Sequence, residues 1–168
     1  MKIFSANIKT LEALYNSELR KALDLEEQIV KALPTMIQKS SDTQLKQAFQ
    51  SHLQESEVHV DKVKQLLAQL PDSDSQTCKV IHALVTEAED TIKDVNDPDV
   101  LDVALIGAGQ QVEHHEIAVY GTLKTWARLL GRNGDYQVLE SIENDEKHAD
   151  KLLSQVADRV NSEALTTA

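Results

Sequence analysis

Four long helical patterns in this 168-residue chain each carry a glutamate near the midpoint, on the face that periodicity assigns to the interior. They are Glu26, Glu55, Glu116 and Glu146; His59 follows Glu55 by one turn and Glu113 precedes Glu116 by three residues. A helix fills buried positions with Leu, Ile, Val or Ala unless a charge there has a partner. A single glutamate in such a stripe is ordinarily a boundary residue that reaches solvent. Four at one height call for a shared partner, and no Lys or Arg stands in the stripes at that height. An isolated buried carboxylate must protonate or costs several kcal/mol. Divalent cations remove that cost, and a carboxylate-rich site with one or two imidazoles suits iron or manganese, whereas structural zinc more often recruits Cys. The expectation is therefore a pair of metal ions held by Glu26, Glu55, His59, Glu113, Glu116 and Glu146.

The stripes behind that reading are explicit. In the last helix, Leu139, Ile142, Glu146, Ala149, Leu153, Val156 and Val160 follow alternating spacings of three and four, with Glu146 where Leu is expected. Leu45, Ala48, His52, Glu55, His59, Val63 and Leu66 trace a similar line, as do Ala22, Glu26, Ile29, Leu33 and Met36. A further line runs Leu105, Ala108, Val112, Glu116, Val119 and Leu123, with Glu113 on its shoulder. His52 and His114 read as supporting or structural groups beside the site. Tyr120, one turn after Glu116, can hydrogen-bond a ligand carboxylate, though ordinary tyrosine packing accounts for it equally. Glu143 and Asp150 flank Glu146 at i−3 and i+4 as candidate extra ligands.

The elements that must position these groups follow from composition and punctuation. Gly (5) and Pro (3) are too few for a turn-rich sheet protein, and the Ala, Leu, Glu, Gln and Lys content favours helix. Helices are expected over about 8–38, about 42–70, about 76–95, about 99–130 and about 135–160. The stops are Lys39-Ser40-Ser41, Pro71-Asp72-Ser73-Asp74, Asn96-Asp97-Pro98-Asp99 and Gly131-Arg132-Asn133-Gly134. Pro34 falls inside the first pattern and should bend it, and the tail 161–168 should fray. Four helices of this length span about 40–48 Å. The reading is one all-α domain, an antiparallel four-helix bundle whose second and third long helices are joined by a crossover carrying the short helix; a bundle with one long crossover is the ferritin-like arrangement.

Charge and cysteine content narrow the partners. A formal charge of −11 argues against nucleic acid, which needs basic patches. No run reaches the roughly 18 apolar residues of a membrane span. The first residues lack the apolar core of a signal peptide, and the one cysteine, Cys78, allows no internal disulfide, so the expected compartment is the cytoplasm.

Several segments resemble the YciF/YciE-like stress-response proteins. They are Glu18-Leu19-Arg20 with the run from Glu26 to Pro34, Ala48-Phe49 with His52-Leu53-Gln54-Glu55, the run from Val112 to Leu123, and Asp145-Glu146-Lys147. The run VEHHEIAVYGTL is the most specific of these, and the resemblance is collinear over nearly the whole chain. It implies a ferritin-like fold, a dimetal site of the rubrerythrin type on Glu26, Glu55, Glu113, Glu116 and Glu146, and a homodimer. Members of the family are linked to bacterial stress responses, sometimes beside manganese catalase. Ferritin-like sites usually pair Glu with His at i+3, and here Glu55 meets Val58 and Glu146 meets Ala149 at that spacing. His59 at i+4 can still share the face of Glu55. The half-site of Glu146 lacks a histidine, for which Asp150 is the candidate substitute.

The function expected from this set is a small dimetal protein handling peroxide or oxygen. Glu55 and one of Glu113 and Glu116 are expected to bridge the ions, Glu26 and Glu146 to be terminal ligands, and His59 to bind one metal. With no CxxC pair there is no rubredoxin-like iron site, so a reductant must come from an external donor. The alternatives are an iron-storage cage subunit, which demands a spherical oligomer, and a metal-free helical interaction protein whose polar layer sets packing specificity.

Overall fold

The computed structural model describes residues 8–70 and 75–165. It contains five helices among them: α1 (Leu11–Lys39), α2 (Thr43–Leu67), α3 (Lys79–Asp94), α4 (Pro98–Leu129) and α5 (Asn133–Ala164). Thr10 caps α1 and Asp42 caps α2, the latter accepting from the N–H groups of Gln44 and Leu45. Asp97 caps α4 with Pro98 in its first turn, so that helix begins one residue earlier than expected. Gly131, at φ 72°, ends α4 in the left-handed conformation that glycine adopts without strain, and Arg132 N–H closes on the Ala127 carbonyl at 2.9 Å.

Several expected boundaries move; α2 ends at Leu67 and α5 begins at Asn133. Residues 75–78 are not helical: Ser17 donates to the Gln76 side chain at 2.9 Å and the Cys78 N–H donates to Asp24 at 2.7 Å, which pins this stretch to α1. At the C-terminus the helix continues through 161–164, where fraying was expected; Arg159 and Glu163 pair one turn apart there. The helix α1 runs on through Pro34 to Lys39. The expected stop at Pro71-Asp72-Ser73-Asp74 and the last residues of the tail lie outside the described residues.

The long helices close a ring in which α1 packs on α2, α2 on α5, α5 on α4 and α4 on α1, while α3 lies against the α1–α4 seam. Contacts at the two ends set the directions. Asp102, near the start of α4, accepts from the N–H groups of Ser41 and Asp42 at 2.9 and 2.7 Å, and Arg159, near the end of α5, meets Asp42 at 2.8 Å. At the opposite end the Tyr15 hydroxyl donates to Asp135 at 2.9 Å and Arg132 meets Glu12 at 2.9 Å. Every neighbouring pair in the ring is therefore antiparallel, with α3 carrying the chain back between α2 and α4.

The interior is not one apolar core but two. One cluster includes Leu25, Ile29, Leu33, Leu45, Phe49, Leu105, Leu153 and Val160; the other includes Tyr15, Leu19, Val63, Leu66, Leu123, Leu139 and Ile142. Between them lies a buried polar layer.

Candidate metal centre

Each long helix contributes to that layer from near its middle. Glu26 comes from α1, His52, Ser56 and His59 from α2, Glu113 and Glu116 from α4, and Glu146 from α5; each is at most 4 % exposed. The ligand atoms of His52, Glu113, Glu116 and Glu146 all lie within 4.8 Å of one another, and so do those of Glu26, His59 and Glu146. Glu146 belongs to both groups. Its Oε1 is 2.9 Å from His59 Nδ1, and its Oε2 is 3.7 Å from His52 Nδ1. His52 Nε2 stands 3.4 Å from Glu113 and 3.7 Å from Glu116, and His59 Nδ1 stands 3.6 Å from Glu26.

Local pattern explains why these groups meet. The interior face of α2 runs Leu45, Phe49, His52, Ser56, His59, Val63, Leu66, a strict alternation of four and three. On that face Ser56 takes the slot expected for Glu55, and Phe49 the slot expected for Ala48. Glu55, expected between the ions, is half-buried and belongs to neither group of ligand atoms. The face of α4 shifts similarly: Gly109, Glu113 and Tyr120 are buried, whereas Ala108, Val112 and Val119 are half-buried. Glu113 is thus a full member of the interior line.

His52 answers the question of the missing histidine. Ala149 follows Glu146 at i+3, but His52 from α2 reaches the carboxylates of Glu113, Glu116 and Glu146, so each group holds one imidazole. Asp150 does not take that place; it lies 3.5 Å from exposed His114, outside both groups. Glu143 is also outside, engaged by Lys124 and Lys147, whose charges outweigh its burial and hold its carboxyl below the usual range. The interior position i−3 from His59, where a Glu-x-x-His pair would place its glutamate, is Ser56, and its hydroxyl has no hydrogen-bond partner.

Two outer residues orient the layer. The Tyr120 hydroxyl, fully buried, donates to Glu26 Oε1. Asp145 stands 3.1 Å from His59 Nε2. A proton on Nε2 shared with Asp145 leaves the Nδ1 lone pair facing Glu26 and Glu146, the arrangement that sets up a histidine as a metal ligand. Tyr120 was legible as a candidate. Asp145 was legible only as the neighbour of Glu146, because the turn that carries it past His59 is a tertiary fact.

The electrostatics of the layer are those of charges without enough partners. Burial, then Glu146, pushes Glu26 up to about 8 against the opposing pull of His59 and the Tyr120 hydroxyl. Burial and Glu146 push Glu113 up to about 10, and burial with Glu146, Glu26 and Glu113 raises Glu116 well above the carboxylate range. Burial opposes a proton on His59, but Glu146, Glu26 and Asp145 prevail and bring it to about 9. His52 goes the other way, lowered by burial. Both oxygens of Glu116 and of Glu146, both nitrogens of His52, and one oxygen each of Glu26 and Glu113 have no hydrogen-bond partner. The close pair His59 Nδ1 and Glu146 Oε1 also lacks the alignment of a hydrogen bond. Native interiors seldom leave so many polar atoms unpaired in one place. The donor set fits two divalent cations: four carboxylates balance their charge, neutral imidazoles add one nitrogen to each, and one carboxylate spans both.

Residues 10–166 match the family described as "Domain of unknown function (DUF892)". The protein YciF of Escherichia coli strain K12 is 33% identical over 165 residues, covering 94% of this chain and 97% of that protein. The crystal structure of that E. coli stress protein superposes with a TM-score of 0.88, 31% identity over the superposition, and coverage of 92% and 99% of the two chains. YcfI from Rhodopseudomonas palustris gives 0.86 at 38% identity, covering 90% and 98%. Symerythrin from Cyanophora paradoxa, at 16% identity, a TM-score of 0.66 and coverage of 94% and 89%, shares the fold. In sequence over nearly its full length, and in an all-helical ferritin-like architecture, this chain belongs to the DUF892 family, to which it is joined by its likeness to YciF.

Proposed function

We propose that the protein holds two iron or manganese ions in the central layer and uses them on peroxide or dioxygen. The observation that carries this reading is the pair of ligand groups sharing Glu146, with their buried oxygens and nitrogens left without partners. Glu26, His59 and Glu146 would hold one ion, and His52, Glu113, Glu116 and Glu146 the other. Bound redox-active ions supply the electrons and Lewis acidity that peroxide or dioxygen chemistry needs. The chain's own residues bind and orient: Tyr120 keeps Glu26 turned inward, Asp145 holds the His59 ring, and the two apolar clusters exclude water above and below. His59, which carries a proton when the layer is empty of cations, gives it up on binding, so uptake releases protons. Electrons return from an external donor.

The test is elemental analysis of protein purified without a metal-affinity tag. About two iron or manganese ions per chain, followed by consumption of peroxide or dioxygen, supports the proposal. No bound metal after anaerobic reconstitution sinks it. That result would favour a metal-free polar layer, for which the support is that burial holds Glu26 and Glu113 protonated at neutral pH. The expected assembly is a homodimer, and a spherical oligomer in light scattering would instead point to iron storage.

A further inference from the structure

A narrow apolar slot opens beside α3 and ends on the metal layer. Its walls are Ile29 and Leu33 of α1, Leu84, Val85 and Ile92 of α3, and Val112 of α4. Exposed Thr35 and Glu89 stand at its rim, and buried His52 and Glu113 at its inner end. The helix α3 covers this seam loosely. Only Ile81 of α3 is buried, whereas Leu84, Val85 and Ile92 are half-exposed, so the apolar face of α3 roofs the slot without filling it.

Width and chemistry restrict what can occupy it. The cavity volume is about 40 Å³, a few times the roughly 10–15 Å³ that one water requires on this measure. Along its aliphatic walls the slot offers water or hydrogen peroxide no replacement for the hydrogen bonds it leaves in bulk, and inside it only the end at His52 and Glu113 is polar. An anion such as superoxide meets in addition a protein of net charge −11 and Glu89 at the rim. A neutral, apolar diatomic molecule suffers none of these penalties. A second, smaller cleft reaches the same His52 and Glu113 between α2 and α5, past Ser51 and Glu55, and offers the polar groups that the apolar slot lacks.

We propose that the apolar slot between α1, α3 and α4 admits and holds dioxygen at the His52–Glu113 side of the metal layer. This rests on the dimetal reading for its consequence, but the holding of dioxygen does not require a metal. Entry and holding make and break no bond.

The first measurement uses the metal-free protein with methyl-labelled side chains and dissolved dioxygen, whose paramagnetism relaxes nearby nuclei. Methyl groups of Ile29 and Leu33, buried on the slot wall, should relax several-fold more strongly than those of Leu139 and Ile142, which are comparably buried in the other cluster. Equal enhancement in both clusters overturns the proposal. The second measurement fills the slot by Ala108→Phe and, independently from the α3 wall, by Ala88→Leu. With ferrous ions loaded, oxidation by dioxygen should slow several-fold while oxidation by added hydrogen peroxide keeps its rate and metal content is unchanged. An unchanged dioxygen rate in a folded variant that has lost the relaxation effect overturns the slot as the route. Loss of both oxidation rates together also overturns it, because the variants would then be damaging the centre. Failure of the wild-type protein to take up metal is a different outcome: it ends the dimetal reading and the delivery role, while the relaxation result still decides whether dioxygen enters.

Discussion

Among the described residues Glu146 is the one side chain whose two oxygens face different imidazoles, and that geometry sets its replacement apart. Substituting Glu146→Gln should cost the protein both ions, whereas Glu26→Gln should cost chiefly the ion beside His59 and Glu113→Gln chiefly the ion beside His52. Metal per chain, measured after equal reconstitution, distinguishes these outcomes. Equal losses in all three variants would show that the layer binds as one unit. Asp145 acts at one remove. Because it holds the Nε2 side of His59 at 3.1 Å, Asp145→Asn should weaken metal affinity by about 10–100-fold, the usual effect of removing an outer partner of a metal-bound histidine. An affinity titration that finds no change would leave Asp145 as a partner only of Lys62, whose ammonium lies 3.5 Å away. Most residues of the buried polar layer were visible in the sequence, with two displacements. Glu55 carried the expected bridge, and Glu146 has the geometry for it; His52 was expected beside the site and stands within it.

Those displacements originate at the scale of the element. In α1 and α5 the expected lines hold: Ala22, Glu26, Ile29, Leu33 and Met36 are buried with Leu25 beside them, and Leu139, Ile142, Glu146, Ala149, Leu153, Val156 and Val160 are buried in α5. In α2 two lines compete: Ala48 and Glu55 continue the three–four alternation as well as Phe49 and Ser56 do. Burying Phe49 rather than Ala48 removes far more apolar area from water, and that choice turns Glu55 toward the edge and Ser56 inward. In α4, Gly109 has a specific role. A Cβ there would lie 3.0 Å from Leu153 and 3.2 Å from Phe49, so the α4 backbone sits directly on side chains of α2 and α5. The junction of α1 and α2 is tied to α4 by a feature no periodicity reveals. Asp102, 2 % exposed, accepts from two successive backbone N–H groups, those of Ser41 and Asp42. Replacing it by alanine strands both donors and should lower unfolding free energy by about 1–3 kcal/mol, read from denaturant titration of the metal-free protein. Asp102→Asn, which keeps one acceptor, should recover part of the loss.

At the scale of the whole molecule, a bundle with a charged layer between two apolar clusters should respond to pH and to metal in opposite ways. Without metal, Glu26 and Glu113 are neutral in the folded protein up to about 8 and about 10, while in the unfolded chain they ionise near their ordinary 4.5. The folded state therefore binds more protons across the interval between those values, and stability falls as pH rises through it. His59, raised from 6.5 to about 9, adds to the fall in the same direction from 6.5 upward. The stabilisation these three groups provide is complete below their unfolded values and lost above the folded ones. Divalent ions replace those protons, so the melting temperature of the loaded protein should fall less across the same range, and the gap between loaded and metal-free forms should widen with pH. Thermal melts in excess chelator and in saturating manganese(II), from pH 5 to pH 8 in constant salt, read both slopes; the window starts just above the carboxylates' ordinary value and ends at the raised value of Glu26. The acidic surface also repels itself more as pH rises, and that contribution is present with and without metal. Glu113→Gln separates the two: it removes a buried titrating group without altering the surface, and so should flatten the chelator slope. A slope unchanged in Glu113→Gln would assign the pH response to the surface charge and leave the buried layer without a measurable proton.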